Sequence, residues 1–280
     1  MTKRALLNLS LLGIIAVLVA IALWQPGIDR PAAKPPLTTI LATDIKHITI
    51  TRPRTSDIEL QRSNGDWTLL QPQRGRTNPF VVNEILRILN AKNHLSLPPE
   101  AVKQLGRYGL DHPKARLQLD QLEILFGDTS PVSKLQYVLL QNRVAMIDNA
   151  YYWSTVRTHS NFFSKRLIEK NRNPIALSLP NTRLSLEDGT WQTYPKQKDL
   201  SADSIKNLID QWRYAQALSV KKYRDTRVME WVRLSFKDEK TRLRIGILSR
   251  SPELVLYRPD EKLQYHFPEE VGKRLFSFSE

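Results

Sequence analysis

Apolar and polar residues alternate over short segments in two separate parts of the chain, a pattern typical of half-buried β-strands. Each run of segments ends at a dipeptide, Asn64-Gly65 in the first part and Asp188-Gly189 in the second. Both dipeptides favour a two-residue type I′ turn, because its central residues need a positive φ. The chain is therefore predicted to form two β-hairpins. The strands before the two turns are predicted at residues 45–50 and 58–62, and at residues 175–179 and 182–186.

A tryptophan follows each turn glycine by two positions, Trp67 in the first hairpin and Trp191 in the second. Large aromatic side chains contribute much of the buried area of protein cores. The favoured interpretation is that both tryptophans pack a helix against the sheet, and the alternative is that they stack on a ligand.

An apolar stripe with helical spacing follows each hairpin. Its positions in the first part are Val81, Ile85, Ile88 and Ala91, and those in the second part, each 124 residues later, are Ile205, Ile209, Trp212 and Ala215. Spacings of three and four residues place such positions on one face of a helix. The helices are predicted to start near Asn78-Pro79 and near Ser201, which are typical start signals.

Four further strand-like runs follow each predicted helix, so the whole order of elements occurs twice. A common order of turn, tryptophan, helix face and strands indicates an internal duplication. Strands clustered around single helices favour an α+β fold over a doubly wound sheet. The predicted fold is an N-terminal transmembrane helix followed by two tandem copies of an antiparallel-sheet-plus-helix module. The predicted regions are a cytoplasmic tail and transmembrane anchor at 1–24, a linker at 25–39, a first repeat at 40–172 and a second repeat at 173–280.

The first predicted region contains an uncharged apolar run from Ala5 to Trp24. Twenty helical residues span about 30 Å, the thickness of a bilayer's hydrocarbon core. The run is longer than a cleavable signal usually is, which favours an uncleaved anchor over a signal peptide cut after Ala20 and Ala22. Lys3 and Arg4 match the basic start of an export signal. The predicted location is the bacterial inner membrane, with a single pass, a cytoplasmic N-terminus and the bulk of the chain in the periplasm.

The predicted linker contains Pro26, Pro31, Pro35 and Pro36. Proline at this density favours extended polyproline II, and fifteen such residues reach roughly 45 Å. We therefore expect the folded part to be held near the membrane without being embedded in it.

The chain is strongly basic, with 42 Lys and Arg against 28 Asp and Glu, and it contains no cysteine. The missing cysteine excludes disulfides, thiolate metal sites and a cysteine nucleophile. A basic protein often binds nucleic acid, but export and the absence of a recognition motif argue against that here. An anionic lipid, an acidic glycan or an acidic envelope protein is the expected partner. A solvated basic surface without a specific partner is the alternative.

Motifs for catalysis are absent from the sequence. There is no HExxH pair, no GxSxG elbow and no phosphate-binding glycine loop, and the five histidines are scattered. Asp111 and His112 are the most catalytic-looking neighbours, yet Pro113 forces His112 into an extended conformation and the pair is typical of a turn. No catalytic, cofactor-binding or metal-binding residue and no cofactor is predicted.

Aromatic residues are concentrated at residues 149–167, a segment predicted to be helical that joins the two copies. They are Tyr151, Tyr152, Trp153, Phe162 and Phe163. Either they form a core between the modules, or they form a docking patch flanked by basic residues.

One further pattern combines the apolar strand before the first hairpin, the Gly-x-Trp hairpin and a YGLDxP turn. Its residues are Ile45, Ile48, Ile50, Gly65, Trp67, Pro72, Tyr108, Gly109, Leu110, Asp111 and Pro113. With this pattern the chain resembles a bacterial membrane-anchored family known as domain of unknown function 4340. The second copy has the Gly-x-Trp hairpin but not the YGLDxP turn. The resemblance implies an envelope protein of unassigned activity, and an accessory role near ABC-type transporter components.

Three functions are therefore considered for the chain. The first is a non-enzymatic membrane-anchored accessory or scaffold protein, associated with an ABC-type transporter. The second is a tethered binding module for anionic lipid, glycan or peptidoglycan. The third is an envelope hydrolase with a site assembled from scattered residues.

Overall fold

The computed structural model of the chain describes residues 3–24, 35–196 and 200–278. The chain divides into two compact units, Met1–Pro35 and Pro36–Glu280. The first unit contains helix α1, Lys3–Trp24. Within the described residues, no helix combines the length and the apolarity needed to cross a membrane. Residues 25–34 of the predicted linker, and the side chains of residues 5–7 and 22–24 of the predicted anchor, lie outside the described set.

The second unit is α+β and begins with a nine-stranded antiparallel sheet. Its strands are β1 His47–Thr51, β2 Ile58–Ser63, β3 Asp66–Gln71, β4 Gly75–Arg76, β5 Leu95–Ser96, β6 Ala115–Leu119, β7 Leu122–Thr129, β8 Gln136–Leu140 and β9 Arg143–Ile147. Their order across the sheet is β4-β3-β2-β1-β6-β7-β8-β9-β5. The strands predicted at residues 45–50 and 58–62 lie in this sheet as β1 and β2.

An eight-stranded antiparallel sheet follows. Its strands are β10 Pro174–Ser178, β11 Arg183–Glu187, β12 Thr190–Tyr194, β13 Ser219–Lys222, β14 Glu230–Phe236, β15 Leu243–Ser249, β16 Leu254–Arg258 and β17 Leu263–Phe267. Their order is β12-β11-β10-β14-β15-β16-β17-β13. In both sheets a hairpin is followed by a helix, and the strand after that helix pairs at the opposite edge.

Both hairpin turns have the predicted geometry. Asn64 and Gly65 have φ values of 51° and 89°, and Asp188 and Gly189 have values of 47° and 79°. Each third strand ends at a cis X-Pro bond, Gln71–Pro72 in the first sheet and Tyr194–Pro195 in the second.

Helices α2, Pro79–Leu86, and α4, Ala202–Tyr214, begin where the sequence predicts. The side chain of Asn78 accepts a hydrogen bond from the backbone of Phe80, and that of Ser201 from the backbone of Ser204. Such N-caps satisfy amide groups that the first helical turn leaves unpaired. All eight predicted stripe residues are buried, which confirms the two helix faces. Helix α2 is shorter because it tightens into a 3₁₀ turn at Arg87–Asn90.

The two sheets share one continuous hydrophobic core. Trp212 of α4 is fully buried, and its indole N–H donates a 2.6 Å hydrogen bond to the carbonyl of Leu275. Leu275 lies in α5, Glu269–Phe276, a C-terminal helix that the sequence pattern did not predict. Trp67 and Trp191 are half-buried and pack against this core, as the favoured interpretation requires.

The joining segment is less helical than predicted. It forms α3, Ala150–Thr155, and a 3₁₀ turn at His159–Phe162, and then becomes extended. The helix ends early because the extended part pairs with the first sheet and with the chain between α4 and β13. The amide of Ser164 donates to Arg76, and that of Leu167 donates to Ala215. The aromatic residues of the segment therefore differ in burial.

Phe162 and Phe163 are buried in the shared core, whereas Trp153 is 61% exposed. Tyr151 and Tyr152 are half-buried against the same core. The first interpretation, a core between the modules, therefore holds for most of the aromatic cluster.

Candidate functional site

A cleft of about 1440 Å³ lies in the second unit where the edge of the first sheet meets the second sheet. One wall is the β2–β3 hairpin with the chain that follows it to α2. The other wall is formed by Lys222 and the β16–β17 turn, and the floor is formed by residues 164–171, the end of the joining segment and the residues that follow it. The cleft exceeds the few hundred to 1,000 Å³ that is usual for small-molecule pockets. It therefore suits an extended ligand, such as a peptide segment or an oligosaccharide.

Gly75 allows the two walls to approach. A Cβ atom at this position would lie 2.7 Å from Cε1 of Phe163 and 3.4 Å from Cδ1 of Leu263. Only a residue without a side chain lets β4 pack this closely against the joining segment and β17. This close packing places the neighbouring Arg76 over the second sheet.

Arg76 connects the first sheet to the second. Its guanidinium pairs with Glu261 in the β16–β17 turn and donates a 3.0 Å hydrogen bond to the hydroxyl of Tyr265. It also donates a 2.7 Å hydrogen bond to the carbonyl of Arg166. Tyr265 in turn donates to Glu261. Burial raises the pKa of the Tyr265 phenol above its ordinary value, so the phenol stays protonated and able to donate.

Arg258 forms the buried end of the same network. It is 2% exposed and donates hydrogen bonds to Glu169 at 3.0 Å and to Asp260 at 2.6 Å. A third hydrogen bond of 2.7 Å reaches the carbonyl of Leu167 on the joining segment. A buried guanidinium is tolerated only when it is paired and its donors are satisfied.

Glu169 is the carboxylate at the centre of the network. Burial alone would raise the pKa of Glu169, but the guanidinium groups of Arg258 and Arg76 outweigh it and hold that pKa at about 2. Arg172 adds a 3.0 Å hydrogen bond. Glu169 is therefore ionised at neutral pH and is already bound by arginines.

In contrast to Glu169, most cationic side chains around the cleft have no ion-pair partner among the described residues. Seven Lys or Arg residues line the cleft against four Asp or Glu residues, and the arginine network engages three of those carboxylates. Within the described part of the chain, six of the basic residues have no carboxylate at ion-pair distance: Arg62, Arg74, Arg166, Lys170, Lys222 and Lys262. The Nε of Arg166 is also buried without a hydrogen-bond partner among the described residues. The cleft therefore presents net positive charge.

Trp67 contributes an aromatic surface to this cleft in addition to its core contacts. The tryptophan is half-buried, so part of its ring contacts the core and part faces the cleft. The equivalent Trp191 is also half-buried, but it does not line this cleft. A ring surface beside basic groups is suited to a ligand with both apolar and anionic parts.

Asp111 and His112 lie outside the cleft lining. An Asp111 carboxylate oxygen accepts a 2.9 Å hydrogen bond from the backbone N–H of His112, as expected for a turn. Gly109 has a φ of 64°, and the neighbouring Tyr108 carbonyl packs against Gly127 of β7, where a Cβ atom would lie 2.1 Å from its oxygen. The turn is therefore packed closely against the first sheet.

The histidines are dispersed and three of them pair with carboxylates. His47 lies 3.4 Å from Asp120, His94 lies 3.2 Å from Asp148, and the buried His266 lies 2.8 Å from Glu253. Over the described residues, no group of three or more potential ligand side chains is arranged to hold a metal ion.

Sequence reasoning did not identify Arg76, Glu169, Arg258 or Glu261. Arg76 and Glu261 are 185 positions apart, and no local pattern marks them as partners. The sequence pointed to this site only through its excess of basic residues, which indicated an anionic partner without locating the binding site.

A family profile described as "Domain of unknown function (DUF4340)" matches residues 67–231, more than half of the chain. The match includes Trp67, the joining segment and the first strands of the second sheet. No curated protein and no solved structure matches the chain.

Proposed function

The chain belongs to the family of domain of unknown function DUF4340, and we propose that it is a non-enzymatic, membrane-anchored envelope protein that binds an anionic partner in the cleft between its sheets. The observation that carries the proposal is the charge arrangement of the cleft. Three of its four carboxylates are engaged by arginines, whereas cationic side chains such as Arg74 and Lys170 are exposed and unpaired among the described residues. A concave surface of one charge sign attracts ligands of the other.

The same arrangement is unsuited to acid–base catalysis. A general acid or base needs a pKa near the working pH. The pKa of Glu169 is about 2, and Glu261 and Asp260 are held by Arg76 and Arg258. These carboxylates hold the two sheets together, and the surrounding basic groups are available for binding.

The proposed location is the periplasmic side of the bacterial inner membrane. The support is the uncharged run from Ala5 to Trp24 behind Lys3 and Arg4. In that location a protein with a binding cleft and no chemistry acts as an accessory or scaffold. An ABC-type transporter subunit with an acidic periplasmic segment is the partner we propose.

We further propose that the two sheets arose by internal duplication, with copies at 40–172 and 173–280. The support is the shared strand order, together with the equivalent pairs Trp67 and Trp191, and Ile85 and Ile209. The copies have since diverged, because the cleft takes its β2–β3 wall from the first copy and its β16–β17 turn from the second.

A binding titration tests the proposed site. The probe is a fluorescent peptide of alternating Asp and Gly, added to the full chain in neutral detergent. The cleft variant is Arg74→Gln, Arg166→Gln and Lys170→Gln, and the control is Lys46→Gln, Lys103→Gln and Lys206→Gln, three exposed lysines outside the cleft lining. The cleft variant is expected to bind at least tenfold more weakly, and the control within twofold of wild type. Equal losses in both variants would reject the cleft as the site.

A second candidate function, binding of peptidoglycan or another acidic glycan, is favoured by the aromatic surface of Trp67. Sugar rings stack on indole, and the carboxylates of the attached peptides would meet the basic side chains. Replacing the peptide probe with a soluble muropeptide separates the two candidates. Trp67→Leu is expected to weaken muropeptide binding about tenfold if the ligand is a glycan. If it is an acidic protein segment, the same variant should leave peptide binding nearly unchanged.

A further inference from the structure

A row of arginines crosses the exposed face of the second sheet. Ser178 of β10 is paired in register with Arg183 of β11 on one side and with Arg233 of β14 on the other. Arg233 is paired in turn with Arg244 of β15. Residues directly opposite on neighbouring strands lie on the same face of a sheet. All three arginines are exposed, and strands 4.8 Å apart place them on one line about 15 Å long.

The corresponding row of the first sheet has a different charge. Thr49 of β1 is paired with Glu59 of β2 and with Gln118 of β6, and Gln118 is paired with Glu123 of β7. The two rows occupy equivalent places in the two strand orders. Two glutamates and a glutamine in the first sheet thus correspond to three arginines in the second.

This arginine row is electrostatically unfavourable in the isolated protein. Arg233 and Arg244 are directly opposite each other, and like charges in that position destabilise a sheet. Among the described residues, none of the three arginines has a carboxylate at ion-pair distance. Glu187, on the same face of β11, accepts its hydrogen bonds from the hydroxyl of Tyr194. An anion bound from outside would relieve the repulsion.

One arginine of the row, Arg244, is oriented by an aromatic ring. The guanidinium of Arg244 lies 4.3 Å from the centre of the Trp231 ring, which stacks against it. Stacking fixes the plane of a guanidinium and leaves its N–H edge free for bidentate binding to phosphate or carboxylate. Tyr194, 47% exposed, is paired with Arg183 at the other end of the row.

We propose that this face docks on a membrane surface that carries anionic phospholipids. The row lies on an open sheet face, whose form matches a flat partner that presents many phosphates. Guanidinium groups bind the phosphates, and Trp and Tyr are the side chains enriched at the level of the headgroups. Each Lys or Arg at such a surface contributes about fivefold to binding. The proposal concerns a surface separate from the cleft, and it holds whether or not the cleft binds the partner proposed above.

The test uses the full chain in nanodiscs of two compositions, phosphatidylcholine alone and equal parts of phosphatidylcholine and phosphatidylglycerol. Because the chain has no cysteine, Ser185→Cys gives a single labelling position on β11, on the face that carries the row. Energy transfer from a dye at this position to a headgroup-labelled lipid reports docking. We expect strong transfer only in the discs with phosphatidylglycerol, and its loss at high salt, which screens charges beyond about 3 Å at 1 M.

The decisive variant is Arg183→Gln, Arg233→Gln and Arg244→Gln. It is expected to reduce the ratio of docked to undocked protein about 100-fold, the product of three fivefold contributions. Its fold is checked by thermal unfolding, which we expect to be unchanged or higher because the repulsion is removed. The control, Lys46→Gln, Lys103→Gln and Lys206→Gln, removes equal charge elsewhere and should still dock. Equal transfer in both lipid compositions, or a triple arginine variant that docks like wild type or like the control, overturns the proposal. Binding of the acidic peptide probe to this face, without binding of lipid, would also overturn the proposal.

Discussion

Arg258 and Arg76 both contact the same carboxylate oxygen of Glu169, at 3.0 Å and 3.4 Å. Arg258 belongs to the second sheet, Arg76 to the first, and Glu169 to the segment that joins them. One carboxylate therefore ties three parts of the chain together at the floor of the cleft. We therefore expect loss of this network to disturb the shape of the cleft.

Replacing the buried arginine tests the network. Arg258→Met leaves Glu169 and Asp260 without their shared partner, and breaking a buried pair in this way costs about 3 to 5 kcal/mol. Urea unfolding of the full chain measures the change. The matched control is Arg250→Met, which removes a pair with Glu230 in which the side chains are 39% and 41% exposed. Such surface pairs contribute less than about 1 kcal/mol, and equal losses in the two variants would contradict the role of Arg258.

The depressed pKa of Glu169 predicts a pH dependence of stability. Its pKa is about 2 in the folded protein, against an ordinary value of 4.5. A lowered pKa stabilises the folded state above the ordinary value, and the stabilisation is lost as the pH falls through about 2. The contribution at neutral pH is about 3 kcal/mol.

Glu169→Gln removes this titration. We expect the variant to be less stable than wild type at pH 7, with the difference shrinking between pH 4.5 and pH 2. Chemical unfolding across that range measures it. A difference between the two proteins that stays constant with pH would show that Glu169 does not titrate as the geometry requires.

The packing of α4 against α5 depends on Trp212. Trp212→Leu leaves a cavity in the shared core and removes the donor to the Leu275 carbonyl, at a cost of about 3 kcal/mol. Trp153→Leu is the control, because Trp153 is 61% exposed and surface changes usually cost below about 0.5 kcal/mol. Thermal unfolding distinguishes them. Similar melting temperatures for the two variants would be inconsistent with a core that continues to the C-terminal helix.

Asp111 and His112 provide the test of a hydrolase. In the structure they form a turn, so Asp111→Asn and His112→Ala should each complement a deletion strain at matched protein level. A small loss of stability, below about 1 kcal/mol, is the expected effect on the protein. Complete loss of complementation by a folded, normally abundant variant would favour an enzyme.

The local elements could be predicted from the sequence because their causes are local. The turn at Asn64-Gly65 follows from the need for positive φ, and the start of α2 follows from the cap at Asn78. Strand β5 was missed because its two residues, Leu95–Ser96, are too few to show a period. The helical prediction for residues 149–167 was wrong beyond Thr155, because backbone pairing with the first sheet and with the chain between α4 and β13 overrides local propensity there.

The cleft could not be predicted in the same way. Arg76, Glu169 and Glu261 meet only because the two sheets pack on a common core. The close packing at Gly75 is also invisible in the sequence, since a buried glycine and a turn glycine look the same. The excess of positive charge was the one functional signal that preceded the structure.

The central claim, an anionic partner in the cleft, is tested most directly by photo-crosslinking in living cells. A photoreactive amino acid replaces Asn171, an exposed residue of the cleft lining, and in a second strain replaces Gln61, an exposed residue of β2 outside that lining. We expect a discrete adduct with an acidic envelope protein only from position 171. We also expect its loss when Arg74, Arg166 and Lys170 are changed to Gln, but not when Lys46, Lys103 and Lys206 are changed. An adduct that forms equally from both positions, or one that survives removal of the cleft charges, would contradict the account.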